Sequence, residues 1–421
     1  MKITPGVTWA SGDTVNHTQL NAFLTNAVIT SGTLDQVALG ENALDSLTSG
    51  TDNVGIGDNA GTAITDGHSN TIVGNEALKT ADSAYNNVAI GENAMGLGAG
   101  TLAQNVAIGA GALIDLAGDI GSSESFSNVA IGNSAGADIT TGKTNVFIGA
   151  SCGSQLTTDS SLNVLLGDGA MGFAAAAVDG AIAVGYQALK VNTADLNTGV
   201  GYKAGLANTS GDDNTYVGSQ AGYTNITGTD NTFIGDNAGY YVTANQNTAL
   251  GSDANTTSGS PAAYANTTCL GYAVDPTASN QVRLGNASVS SLHCQVSLTV
   301  DSDKRIKKNV KSSKIGLDFI NALRSVEYKK KNPFSWPDEL KEQRFKKEKP
   351  DKKPEDDPVT YNGFIAQEVK EVMDKQGITD WDGWRQSDNT MQSLTATALI
   401  GPLVKAIQEL SSKVAKLEAK T

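Results

Sequence analysis

The 421-residue chain carries 30 Lys+Arg against 44 Asp+Glu, a formal net charge of −14. That balance argues against a nucleic-acid partner, because a phosphate backbone needs a basic face. The length suits two or more domains, and 46 Gly beside 9 Phe cannot build a large aromatic core, so something repetitive must supply the order. Three Cys with no CxxC pair supply neither a disulfide framework nor a zinc site. The opening MKITPGVTWASGD has no apolar run of signal-peptide length, and no later segment approaches a membrane span. Synthesis and folding in a cytoplasm without membrane insertion is therefore expected.

Residues 1–35 differ in character from the rest of the chain. Leu20, Phe23, Leu24, Ala27 and Val28 fall at helical spacing on one face, behind a cap-rich SGDT. The segment, with a Trp before GD and a Leu-Asn pair, resembles the leading piece of some phage fibre and appendage proteins. The resemblance implies attachment to a phage tail, baseplate or other virion protein. The alternative is an end-cap for the repeats.

From residue 36 to 290 the chain repeats itself. QVALGENAL, NVGIGDNAG, NTIVGNEAL, NVAIGENAM and NVAIGAGAL open a series of fifteen copies, whose Gly falls at 40, 57, 74, 91, 109, 132, 149, 167, 185, 201, 218, 235, 251, 271 and 285. A period of mostly 16–18 residues is too short for a helical hairpin and suits one coil of a β-solenoid. In NVAIG, alternation puts Val106 and Ile108 on one face of a short strand and Ala107 on the other. The Gly marks a turn or a close backbone approach. Ala sits three residues later in twelve of the fifteen copies, which implies tight contact. Stacking would lay Val/Ile on Val/Ile and Asn on Asn, ladders that no single repeat stabilises alone. At about 4.8 Å per coil the stack is roughly 70 Å long. Two intervals carry inserts, IDLAGDIGSSESFS and TTSGSPAAYA, expected as surface loops. Cys152 occupies the small-residue slot, Cys269 is mid-strand, and Cys294 shares a strand face with Val296, Leu298 and Val300, so all three read as buried structural thiols. His17, His68 and His293 show no ligand spacing, and no metal or cofactor site is expected. The N-x-x-x-G-x-x-A pattern resembles the head repeats of trimeric autotransporter adhesins, with similar repeats in phage tail fibres. It implies a threefold parallel β-roll.

The chemistry turns over at VDSDKRIKKNV. Residues 1–300 hold six Lys+Arg against 24 Asp+Glu, and residues 301–421 hold 24 against 20. A connecting strand is expected over 291–301. GLDFINALRSVEYKKK reads as a helix leading into a strand, the Pro-broken charged stretch after it as a solvated loop, and YNGFIAQEVKEVMDKQG as strand to helix. In the last helix Ile400, Leu403, Ile407, Leu410, Val414 and Leu417 recur in steps of three and four, a coiled-coil seam over 400–421.

SDKRIKKN at 302–309, GLDFINALRSVEY at 316–328, GFIAQEV at 363–369 and the terminal seam, in that order, resemble the C-terminal intramolecular chaperone of endosialidase-type phage tailspikes and fibres, across residues 302–421. The resemblance implies a homotrimer whose chaperone aligns three chains and then leaves by self-cleavage. Carried over, the catalytic pair is Ser302 and Lys307, a Ser–Lys dyad, with the junction at Asp301, Ser302 and Asp303. The broken bond is 301–302 or 302–303. Locally, Lys serves as a base only when neutral, and nearby like charge and burial both favour that form. Lys304, Arg305 and Lys308 supply the charge. A separation of five residues faces the same side of neither helix nor strand, so a bend or a neighbouring chain's lysine is required. Ile/Val against Leu in the seam favours two strands, whereas the resemblance implies three.

The expected fold is thus mainly β, a trimeric parallel β-solenoid leading into a small α+β chaperone domain that ends in a coiled coil. The expected function is a virion tail fibre that binds a bacterial surface polysaccharide or outer-membrane protein. Its only enzymatic act would be serine-type self-cleavage. A polysaccharide-degrading tailspike needs paired carboxylates in a cleft, and the acids here are scattered along the repeats. A cellular trimeric adhesin would need a signal peptide and a membrane barrel.

Overall fold

The computed structural model describes residues 27–30, 35–98, 100–117, 127–157, 159–256, 264–286, 288–289, 292–295, 301–331, 335–337, 358–386 and 391–420. The chain divides into two compact units, Met1–Leu284 and Gly285–Thr421.

In the first unit, fifteen short strands from Gln36–Leu39 to Gln281–Leu284 stack in sequence order as one parallel sheet, so fourteen coils lie between them. Like sits on like. Val106 pairs with Val129, Ala107 with Ala130 and Ile108 with Ile131. In the three-residue strands the middle residue points inward: Ala107, Ala130, Phe147, Leu165, Tyr216 and Phe233 are all fully buried. The flanking Val and Ile face outward, and Ile131, Ile148, Ile182, Ile234 and Leu250 are each more than a third exposed in the single chain.

The glycine that closes each strand does two things. From Gly40 to Gly271 its φ lies between 119° and 142°, a region essentially closed to side chains. A Cβ on Gly109 would also lie 2.4 Å from the carbonyl oxygen of Gly132 in the next coil. Gly285 departs from this, with φ 75°, where the stack ends.

Packing inside the coils trades large against small. From the turn after Gly40 to that after Gly251, residues two and four after the glycine lie in the left-handed region, as at Asn93 (φ 55°) and Met95 (φ 52°). In four of the six coils whose strand centre is Ala, the fourth residue is a buried Leu or Met, such as Leu113 or Leu189; in the other two it is Gly136 or Asn255. Where a large ring enters, glycine takes that place: a Cβ on Gly136 would meet Phe147 at 2.6 Å, and one on Gly222 would meet Tyr216 at 2.3 Å. A left-handed Leu costs about 1–2 kcal/mol, and burying it returns about 1.5–3 kcal/mol. Burial wins.

A buried asparagine column runs beside the core through Asn53, Asn70, Asn87, Asn105, Asn128, Asn145 and Asn163. Asn145 donates through Nδ2 to Asn128 Oδ1 (2.9 Å) and to Ser160 O (2.8 Å). Its own Oδ1 accepts from the backbone N and the Nδ2 of Asn163, both at 3.0 Å. Ala181 interrupts the column, although its N–H still donates to Asn163 Oδ1. It resumes at Asn197 and runs through Asn214 and Asn231 to Asn247. Outside the coils, Tyr186 stacks on Tyr202 (5.6 Å) and Tyr223 on Tyr240 (4.8 Å).

Three expectations are corrected or left aside. Ala27 and Val28, expected on a helical face, lie in strand Ala27–Thr30, which pairs antiparallel with Gln36–Leu39. The open edge of the first coil offers unpaired backbone groups, and Val28, Ile29 and Thr30 favour extended chain. Cys152 and Cys269 are buried, with thiols pushed up to about 12 by desolvation, but Cys294 is exposed and residues 292–295 form no strand. Most of the first 34 residues, residues 118–126 and 257–263 of the two inserts, and most of the charged loop lie outside the described residues.

The second unit contains helix α1 (Leu317–Ala322), an antiparallel pair Val326–Lys329 with Thr360–Gly363, helix α2 (Ala366–Lys375), a second antiparallel pair Trp384–Gln386 with Gln392–Leu394, and helix α3 (Ile400–Glu418). Phe319, Val369, Met373 and Leu399 form its buried centre, with Trp381 meeting Phe319 edge-on at 5.3 Å.

Gly109→Ala should lower unfolding stability by about 2–4 kcal/mol, the sum of a forbidden φ and an overpacked contact. Asn145→Ala should cost about 1–3 kcal/mol, because it leaves buried partners unmade. Thermal or denaturant unfolding of the full chain measures both, and an unchanged midpoint would contradict the close approach or the ladder respectively.

Candidate functional site

Just after Asp301 the chain makes a single turn of 3-10 helix, Lys304–Ile306. Asp303 caps it: its backbone is extended, and its Oδ1 accepts the Arg305 N–H at 2.8 Å. The Arg305 guanidinium folds back on the same carboxylate, Nε reaching Oδ1 at 3.1 Å and Oδ2 at 3.0 Å while the terminal nitrogen reaches Oδ2 at 2.6 Å. The arginine holds the Asp303 carboxyl below the usual range, and the aspartate raises Arg305 in turn.

This turn is the bend that the spacing of Ser302 and Lys307 requires. Carbonyl 303 accepts from Ile306 N–H and carbonyl 304 from Lys307 N–H, both at 3.2 Å. After the turn Lys307 is extended again, and its Nζ donates to Ser302 Oγ at 2.5 Å. Serine and lysine of the same chain are thus in hydrogen-bond contact, and no second chain is needed to bring the amine. Every residue from 301 to 310 is exposed within the single chain, Ile306 and Val310 included.

The rest of the domain is tied together at two places. Glu409 on α3 accepts the Leu317 N–H at the start of α1 at 2.9 Å. This bond, ahead of the charges of Lys405 and Lys413, holds Glu409 below the ordinary carboxylate range. Gly316 makes the approach feasible, since a Cβ there would sit 2.7 Å from the Glu409 carboxylate. Arg324, between α1 and the first strand, forks onto Glu368 of α2, lowering Glu368 and raising itself. On α3, Ile400, Leu403, Ile407, Leu410, Val414 and Leu417 are all exposed. The helix forms as the seam predicts, and among the described residues of the chain none covers that seam.

Among the described residues no cluster of His, Cys, Asp and Glu has the form of a metal site, and no helix is long and apolar enough to cross a membrane. Along the solenoid, one acid among the described residues is perturbed upward. Asp138 is raised by desolvation and by the Asp115 charge, a consequence of stacking like residues in neighbouring coils.

The family comparison begins at the same serine. Residues 302–378 match the family described as the chaperone of endosialidase. The chain carries an endosialidase-type chaperone domain. A search of curated proteins gives no significant match. The matched stretch takes in the turn, α1, the first strand pair and α2, while α3 and the second strand pair lie beyond it. Two features of this domain escaped the sequence reading. The Asp303–Arg305 fork carried a usable signal, an Asp at a capping position before a short polar turn. Glu409 reaching Leu317 across 92 residues carried none.

Because folding lowers the Glu409 pKa, its contribution is fully present above the ordinary carboxylate range and is lost as pH falls through the depressed value. The melting-temperature difference between wild type and Glu409→Gln should therefore be largest near neutrality and close in acid. A difference independent of pH would contradict the assignment.

Proposed function

We propose that this chain is a bacteriophage tail-fibre protein, a trimer whose solenoid shaft presents a receptor-binding surface and whose chaperone domain assists assembly and then cuts itself free at Ser302. The observation that carries the reading is the coincidence at one residue of three things: the change of chain chemistry, the start of the chaperone-family match, and a lysine amine seated on the serine hydroxyl.

Trimerisation is supported by two apolar surfaces without an intrachain partner among the described residues. One is the seam of α3. The other is the column of outward Val and Ile along the solenoid, a contiguous patch of the kind that marks an interface. The N-terminal segment is proposed to join the fibre to the tail or baseplate, and the ligand is a bacterial surface polysaccharide or outer-membrane protein.

In the cleavage reaction the Ser302 hydroxyl gives its proton to a neutral Lys307 amine as Oγ attacks a carbonyl. Attack on the Asp301 carbonyl closes a five-membered ring, whereas attack on the carbonyl of Ser302 itself would close a strained four-membered one. The 301–302 bond is therefore the one to break. Lys307 returns the proton to the Ser302 nitrogen as it leaves, and the Asp301 acyl group is held on Oγ as an ester. Water then hydrolyses the ester, yielding an Asp301 carboxylate and a new Ser302 amino terminus. The neutral lysine that this needs is favoured by desolvation, which the exposed segment lacks in a lone chain. Neighbouring chains would supply burial rather than the lysine, so cleavage would report on assembly.

Intact mass spectrometry of the expressed full chain tests this. Wild type should give one fragment ending at Asp301 and another beginning at Ser302, Ser302→Ala should stay whole, and Lys307→Ala should slow cleavage by roughly 10²–10⁴-fold. Native mass spectrometry should show three chains before cutting, and chains held monomeric should remain uncut. Full-length product from wild-type trimer, or cleavage of unfolded monomer at the trimer's rate, would refute the scheme.

A further inference from the structure

We infer that Asp303 and Arg305 are positioning residues for the self-cleavage, a clamp that bends the chain so that Lys307 returns to Ser302. The inference rests on the cleavage reading above and adds to it two residues outside the Ser–Lys pair.

The geometric problem is specific. Over five residues, neither a helix nor a strand brings the two side chains to the same side. The connection instead runs extended, turned, extended, with the turn confined to Lys304–Ile306. Three residues of 3-10 helix do not hold themselves, since a short helical nucleus fixes several dihedrals for one or two hydrogen bonds. No residue of this turn is buried, so no core imposes its shape. What remains is polar. Asp303 Oδ1 accepts the Arg305 N–H, a donor the turn leaves without a backbone partner, and the Arg305 guanidinium straddles both carboxylate oxygens. One side chain thereby pins the residue that caps the turn to the turn's second residue in two ways, through backbone and through the charged fork.

The two ends of the clamp are placed for this task. Asp303 adjoins the nucleophile, and Arg305 lies two residues before the base. Neither touches Ser302 Oγ or Lys307 Nζ through any described hydrogen bond, so neither is a proton donor or acceptor in the reaction.

Each part of the clamp has its own substitution. Asp303→Asn keeps an oxygen for the Arg305 N–H but loses the charged fork. Asp303→Ala loses both, Arg305→Lys keeps charge without the planar fork, and Arg305→Ala removes the fork alone. In the full-length trimer, cleavage should slow about tenfold to a hundredfold in Asp303→Ala, the scale of a small misplacement of reacting groups. Asp303→Asn and Arg305→Lys should fall between it and wild type. In the charge-conserving Arg305→Lys the loss should be the same factor at every pH, because positioning does not move the titration of the base. Amide hydrogen exchange at Ile306 and Lys307, measured on a Ser302→Ala background that cannot cut, should quicken in Asp303→Ala.

Trimers of Asp303→Ala and Arg305→Ala that cut at the wild-type rate would overturn the clamp while leaving the Ser302 and Lys307 roles intact. A pH–rate midpoint that moves in Arg305→Lys would also overturn it, showing action on the base itself. Unchanged exchange at Ile306 and Lys307 would do so independently of catalysis. If Ser302→Ala cuts like wild type, the cleavage reading fails and the clamp's catalytic purpose fails with it.

Discussion

Everything in the shaft depends on one constraint: each coil must lie on a copy of itself at strand-to-strand distance. That distance leaves no room for a side chain where the Gly109 and Gly132 backbones meet, so glycine recurs at the corner of fourteen successive turns. It also brings equal polar groups into register. An asparagine side chain carries both a donor and an acceptor, so a column of them satisfies itself from coil to coil, as Asn128, Asn145 and Asn163 do. Stacked carboxylates have no such solution: Asp138, already raised by desolvation, is raised further by the charge of Asp115 in the neighbouring coil.

The interior is correspondingly narrow. Its contents include the middle residues of the strands and the fourth residues of the turns, and these two sets are chosen jointly. Phe147 and Tyr216 are possible because glycines flank them, and Leu113 and Leu189 are possible because Ala107 and Ala183 leave space. The more hydrophobic Val and Ile are left outside, on a face that one chain cannot cover. The chaperone domain repeats this situation on α3. Among the described residues both units leave apolar surface that the chain itself does not cover, which is the physical basis for the assembly proposed above.

Much of this was legible in the sequence. A fixed spacing of glycine, alanine and asparagine announced the coil, the close approach and the ladder, because stacking makes every copy obey the same local rule. The inward face was not legible. Alternation in NVAIG separates Ala107 from Val106 and Ile108 but does not say which side is inside, and hydropathy alone would choose the wrong one. The helical spacing at Leu20–Val28 misled at Ala27 and Val28, where pairing to the edge of the first coil overrides local preference. Cys294 was read from an alternation that continues into a strand its own residues do not form. At the candidate site, Ser302 and Lys307 came from a motif, but the bend between them depends on a carboxylate turning toward an arginine two residues away. No periodicity encodes that.

Repetition carries a further consequence for the shaft. Coils that look alike have no phase: slide one chain by a whole coil along another and an outward valine, isoleucine or leucine still meets one of the same kind. Only the ends and the two long intervals penalise such a slip. A side-by-side assembly of these shafts is therefore nearly degenerate in alignment, with many staggered arrangements close in energy to the flush one. The information that removes the degeneracy has to come from somewhere that does not repeat. Residues 302–378, which match the chaperone family, are aperiodic and so carry no such degeneracy.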